Sequence, residues 1–202
     1  SIPYRPGDPE VDVEGYFQHW NGARERIAAR LGHAVELEIE PGRYLVGPAG
    51  VLLTEVRATK SVGANHFTLV DAGFNDLVRP ALYGAYHELS VLRASDDARS
   101  QPLRPTVVAG PLCESGDVFT QDADANVVPR VLPEARVGDV LVFHDAGAYG
   151  AAMSSNYNSR PLAREVLMDD GRVSLIRRRQ TLAELLALED TSETDIRAGT
   201  QV

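Results

Sequence analysis

Lysine is almost missing from this chain: Lys60 stands alone against nineteen arginines. Chemistry that needs an amine side chain has one residue to draw on, whereas chemistry that needs a planar guanidinium fork has many. Cysteine is as scarce. The single thiol, Cys113, cannot form an internal disulfide, so a reducing, cytoplasmic compartment is expected. No apolar stretch is long enough to span a bilayer, and no signal-peptide pattern opens the chain. Positive charge is in deficit, with a formal net charge of −9 at pH 7. That argues against nucleic acid or anionic membranes as partners held by bulk electrostatics, and leaves room for a local basic pocket. His19, His33, His66, His87 and His144 show no ligand spacing, so no metal is expected. A Walker loop, a dinucleotide fingerprint and a Gly-x-Ser-x-Gly elbow are all missing.

What is present is enough for one sizeable core or two small ones, with 202 residues, 44% of them hydrophobic and 24% charged. From Val13 to Leu31 the apolar positions Val13, Tyr16, Phe17, Trp20, Ala23, Ile27, Ala28 and Leu31 share one helix face. Asp12 reads as its N-cap and Gly32 as its stop. Val35, Leu37 and Ile39 then alternate with glutamates at strand period. Helix, turn, strand and loop together read as one α/β unit. After Gly50 short strands are expected at Val51–Val56, Phe67–Val70, His87–Val91, Thr106–Ala109, Val118–Thr120, Asp139–Phe143 and Val173–Ile176. Gly, Pro and Asp clusters separate them, which predicts a mostly β, antiparallel sandwich or barrel. Thr181 and Glu184 form a capping box for a short helix through Leu188. The expected division is 1–48 for the α/β unit, 49–189 for the β-domain and 190–202 for a disordered tail.

Four runs have the residue types of a site. Glu40-Pro41-Gly42-Arg43 follows the first strand; Pro41 holds Glu40 extended, Gly42 permits close backbone approach, and Arg43 offers a fork for carboxylate or phosphate. Read alone, it is better explained as an ordinary Pro-Gly turn with a solvated arginine. In the run from Asp71 to Tyr83, Arg79 and Tyr83 are four apart, so one helical turn puts both on one face where they could clamp a carboxylate. A polar strand-to-helix connection would look the same. Gly110-Pro111-Leu112-Cys113-Glu114-Ser115-Gly116-Asp117 sets the lone thiol among carboxylates. Acidic neighbours and partial burial would keep such a thiol protonated, as a proton donor requires. An inert, buried cysteine is the other reading. His144 to Gly150, with Tyr149, leads into Met153 to Arg160, a loop of small, hydroxyl and amide side chains that suits a polar ligand or a self-satisfied hairpin.

In this order, with Arg177-Arg178-Arg179-Gln180-Thr181 to close, these runs resemble the diaminopimelate decarboxylase family over about residues 1 to 189. The resemblance implies a fold-type III pyridoxal-phosphate enzyme, related to alanine racemase and ornithine decarboxylase. Such an enzyme has an N-terminal α/β barrel, a C-terminal β-domain and active sites shared across a homodimer. It implies decarboxylation of meso-diaminopimelate to L-lysine and carbon dioxide, the last step of lysine biosynthesis. Carried onto this sequence, Glu40, Pro41, Gly42 and Arg43 help hold the cofactor phosphate. Arg43, Arg79 and Tyr83 bind substrate carboxylate, and Glu114 takes the distal ammonium. Cys113 is the proton donor, presented with Glu114 to the partner subunit, and Tyr149 lies beside cofactor and substrate.

The family's cofactor-anchoring lysine, its ring-stacking histidine and its glycine-rich phosphate loop have no counterpart here. Lys60 falls in the first strands of the β-domain, away from any motif. The chain therefore reads as the C-terminal half of the decarboxylase, unable to turn over alone. A non-catalytic β-rich dimerisation module is the alternative, as is the tail of a polypeptide fused to an aspartokinase.

Overall fold

The computed structural model describes residues 2–94 and 101–189. They fall into two compact units, one up to Ser154 and one from Ser155. The expected disordered tail at 190–202 lies outside the described residues.

The first unit opens with α1 (Val13–Leu31), bounded as the sequence predicts. Asp12 accepts the Gly15 N–H at 2.9 Å, and Gly32 ends the helix in the left-handed region at φ 73°. None of its residues is buried, and the apolar stripe of Val13, Tyr16, Phe17, Trp20, Ile27 and Leu31 faces out. The segment from Val35 to Ile39 departs from expectation: it is not a strand. A strand is defined by a neighbour's ladder bonds, and among the described residues none pairs with it. Alternation alone leaves it unpaired. After it comes α2 (Gly42–Val46), one short turn of helix.

The rest of this unit is a six-stranded sheet built from β1 (Leu52–Val62), β2 (Asn65–Val70), β3 (Leu89–Leu92), β4 (Leu103–Ala109), β5 (Arg130–Pro133) and β6 (Val140–Phe143). Its order is β3-β6-β1-β2-β4-β5, and β3 also lies against β5, so the sheet nearly closes on itself. All ladders are antiparallel except β2 with β4, where Phe67 sits opposite Val107 in parallel register. Alternate residues of β2 (His66, Thr68, Val70) point inward and are buried. They help line a core of Val56, Val70, Leu77, Val108, Phe119, Leu132, Leu141 and Phe143. The Phe119 and Phe143 rings meet at 4.5 Å and 51°, a tilted pair worth about 1 kcal/mol beyond their area.

Other strand expectations shift as well. Val118–Thr120 forms only a single bridge, Val118 to Ala109, because its chain turns back into the loop it closes. β5 carries no expected strand and is recruited by long-range pairing with residues 103–106 of β4. Between β2 and β3 lies α3 (Arg79–Tyr83), with Pro80 in its first turn. The second unit holds the hairpin β7 (Glu165–Asp169) and β8 (Arg172–Arg177). It ends in α4 (Leu182–Leu185), where Thr181 and Glu184 complete the predicted capping box and the helix stops short of Leu188.

Candidate active site

Arg79 and Tyr83 come from α3, a single turn that ends at Gly84 in the left-handed region, φ 60°. A Cβ at Gly84 would stand 2.2 Å from the Ala123 nitrogen, so the turn needs glycine there. Arg43 comes from α2. The end of α2 is joined to the loop after β6 by the Gly147 N–H, which donates to the Gly47 oxygen at 3.0 Å, and by the Ala146 N–H, which donates to Gly50 at 2.8 Å. That contact is backbone on backbone; a Cβ at Gly147 would lie 1.9 Å from the Val46 oxygen. The same loop carries Tyr149, a non-glycine residue at φ 61°, the kind of backbone strain that gathers at functional positions.

These elements bring Arg43, Arg79, Tyr83, Tyr149 and Met153 together around one cleft of about 340 Å³. The two guanidinium groups and two tyrosine rings interleave. Arg43 lies 5.2 Å from the Tyr149 centroid and 5.7 Å from Tyr4; Arg79 lies 4.7 Å from Tyr4 and 5.9 Å from Tyr149. Such faces hold a cation's charge without cancelling it, and a guanidinium edge is suited to an anion. Arg79 is buried, and its Nη1 stands 3.0 Å from Nε2 of His87, also buried. His87 Nδ1 is 2.8 Å from the His144 carbonyl oxygen. Burial holds the His87 pKa below the ordinary histidine range, with the Arg79 charge adding to it.

Cys113 and Glu114 are placed elsewhere. They ride an exposed loop outside the cleft, so the partial burial expected for the thiol is not found. The physical reason is the loop's anchor. Asp117 is buried, and its carboxylate accepts the Leu112 N–H and the Phe74 N–H, each at 2.8 Å. Its carbonyl accepts the Gly110 N–H at 2.9 Å, and its own N–H donates to Glu114 at 3.1 Å. The loop's two ends are pinned inward, and its tip, with the thiol, is turned outward. Glu40 is exposed and does not line the cleft. Pro41 caps α2, and open space stands where a Gly42 Cβ would be. Tyr4 and His87 are site residues that the sequence did not single out, and no spacing ties them to the motifs they join; Met153 opens a run that it did.

A family model described as "Pyridoxal-dependent decarboxylase, C-terminal sheet domain" matches residues 31–147. The chain belongs to this family. Diaminopimelate decarboxylase of Escherichia coli (strain K12) is 64% identical over 192 residues, covering 94% of this chain and 45% of that protein. A crystal structure of diaminopimelate decarboxylase superposes with a TM-score of 0.90 at 64% identity, again over 94% of this chain and 45% of the other. The Helicobacter pylori diaminopimelate decarboxylase complexed with L-lysine superposes with a TM-score of 0.78 at 34% identity, over 94% of this chain and 42% of that one. The chain thus spans a little under half the length of the relatives it matches.

Pyridoxal phosphate is the cofactor of these decarboxylases. The cleft's donors suit its anionic part, or a substrate carboxylate. The Tyr4 hydroxyl, on a ring that faces both arginines, is buried without a partner among the described residues. The covalent anchor is another matter. Lys60 is exposed on β1, its ammonium 5.7 Å from the Phe67 ring, and it does not line the cleft.

Proposed function

We propose that this chain is the C-terminal, substrate-gripping half of a diaminopimelate decarboxylase acting on meso-diaminopimelate in the cytoplasm, as a homodimer with shared sites. One observation carries the reading: in a member of this family, Arg43, Arg79, Tyr83 and Tyr149 converge on a single cleft. Two guanidinium groups are a costly choice for a substrate with no carboxylate to hold, and an apt one for an amino acid that keeps a carboxylate at its far end.

Each residue then has a task. Arg79, Arg43 and Tyr83 bind and orient the distal carboxylate, and Glu114 pairs with the distal ammonium. Glu40 to Arg43 and Tyr149 border the cofactor. Pyridoxal phosphate, when bound, supplies the electron sink for loss of carbon dioxide. Cys113 Sγ–H delivers the proton to the carbon that has lost its carboxylate. Because Cys113 and Glu114 project from the chain outside its own cleft, they serve the partner subunit's cleft. The amine that anchors the cofactor comes from a segment other than Lys60.

The test is substrate discrimination by the intact polypeptide that carries this chain. Carbon dioxide release is expected from meso-diaminopimelate, with negligible release from L-ornithine and L-lysine. Comparable turnover of L-ornithine would show that the arginine pair does not select for a distal carboxylate.

A further inference from the structure

Arg79 and His87 are both nearly shut off from solvent, at 6% and 4% exposure. Their side chains meet at 3.0 Å, Arg79 Nη1 to His87 Nε2. A guanidinium has only donors to offer, so Nε2 accepts and carries no proton. The ring proton then sits on Nδ1, which donates to the His144 carbonyl at 2.8 Å. That carbonyl is fixed in turn, since the His144 N–H donates to the Glu88 oxygen at 2.9 Å. The Tyr4 ring closes the other side of the imidazole edge-on at 5.5 Å. Only one form of His87 satisfies these contacts: neutral, with its proton on Nδ1.

We propose that His87 is a positioning residue for the carboxylate-binding arginine, resting on the reading of the cleft given above. As a neutral imidazole it takes one Arg79 donor and so aims the remaining donors into the cleft. An arginine held this way has already lost its rotamer freedom before substrate arrives, which lowers the entropy cost of binding. Protonation at Nε2 would set a second N–H against the guanidinium and release it. The charged or titratable groups around the imidazole are Arg79 from α3, Tyr4 from the N-terminal segment and Asp145 from the loop after β6. Burial and Arg79 favour the neutral ring; the hydrogen bond to the His144 carbonyl and the Asp145 charge oppose them. The hold on Arg79 is therefore intact through neutral pH and is lost as pH falls through the depressed His87 value.

Glutamine can reproduce both bonds without titrating: its carbonyl oxygen accepts from Arg79 and its amide donates to His144. Leucine can make neither. In the intact polypeptide, His87→Leu is expected to raise KM for meso-diaminopimelate by about 10²-fold, the scale of a misplaced binding group, with a much smaller fall in kcat. His87→Gln should keep a KM close to wild type and lose the acid-side rise in KM that the wild type shows. Nitrogen-15 NMR of the histidine rings gives a readout independent of turnover. It should find His87 protonated at Nδ1 and bare at Nε2 at neutral pH. An unchanged KM in His87→Leu, an Nε2–H tautomer or imidazolium at neutral pH, or a His87→Gln enzyme with the wild-type acid limb would each overturn the proposal. If His87→Leu fails to fold, the glutamine profile and the tautomer still decide. If the wild type releases no carbon dioxide, the proposed function fails, and the tautomer alone decides the role of His87.

Discussion

Cys113→Ala in the intact polypeptide should lower kcat by about 10²–10⁴-fold, the range that a positioned general acid contributes. Pyridoxal phosphate binding, read by absorbance, should stay as in the wild type, because the groups proposed to border the cofactor, Glu40 to Arg43 and Tyr149, are untouched. The loop's own fold should survive as well, because the Asp117 carboxylate holds it through the Leu112 and Phe74 N–H groups. The outward tip adds a sharper consequence. If Cys113, exposed and outside its own cleft, is the acid of the partner's site as proposed, mixed dimers should complement. Cys113→Ala combined with Arg79→Ala puts one intact thiol beside one intact arginine in half of the sites of a mixed dimer, and activity should return. If Cys113→Ala retains most of its kcat, the thiol is not the proton donor. If mixed dimers stay as inactive as either parent, the site is not shared.

Arg79→Ala should cost more than any other substitution in the cleft. The side chain is buried among Tyr4, Tyr149 and His87, and a buried partner of a charge loses about 2–5 kcal/mol when truncated, roughly 30- to several-thousand-fold in kcat/KM. The loss should track the distal carboxylate. L-lysine, which keeps that carboxylate, should inhibit the variant far more weakly than the wild type. The corresponding diamine, which lacks it, should inhibit both alike. Arg79→Lys keeps the charge and the stem and guards against a folding artefact. It should remain impaired, since an ammonium cannot reproduce the planar fork. Equal weakening of lysine and diamine would mean that Arg79 does not bind the distal carboxylate.

Local signals made part of this molecule legible from its residues. The bounds of α1 follow from Asp12, Gly32 and a stripe of period 3.6, all within one segment. The capping box at Thr181 and Glu184 is as local. Arg79 and Tyr83 share a face because four residues make one helical turn. What failed needed partners distant in sequence. Val35 to Ile39 has strand alternation, but a strand exists only beside a pairing neighbour. β5 pairs with β4 across a connection of twenty residues, 110–129, and the short run at Arg130 shows little of this by itself. β7 was within reach: Asp170 and Gly171, at φ 44° and 75°, form a two-residue hairpin turn between apolar runs, which is a direct sequence signal. In the cleft, the arginines and Tyr149 announce themselves by motif. Tyr4 and His87 do not, because a ring stacked on a guanidinium and an imidazole accepting from it are products of tertiary packing. The outward direction of Cys113 was equally hidden, since the bonds that set it run to Asp117 and Phe74.

Gripping the substrate and anchoring the cofactor are proposed to fall to different segments, and the sharpest check is pyridoxal phosphate offered to this 202-residue chain alone. The protein would be mixed with equimolar cofactor, scanned in the visible, reduced with borohydride and mapped by peptide mass. The spectrum should equal that of cofactor in buffer, with no stoichiometric adduct. A one-to-one covalent adduct on Lys60, with carbon dioxide released from meso-diaminopimelate, would contradict that division.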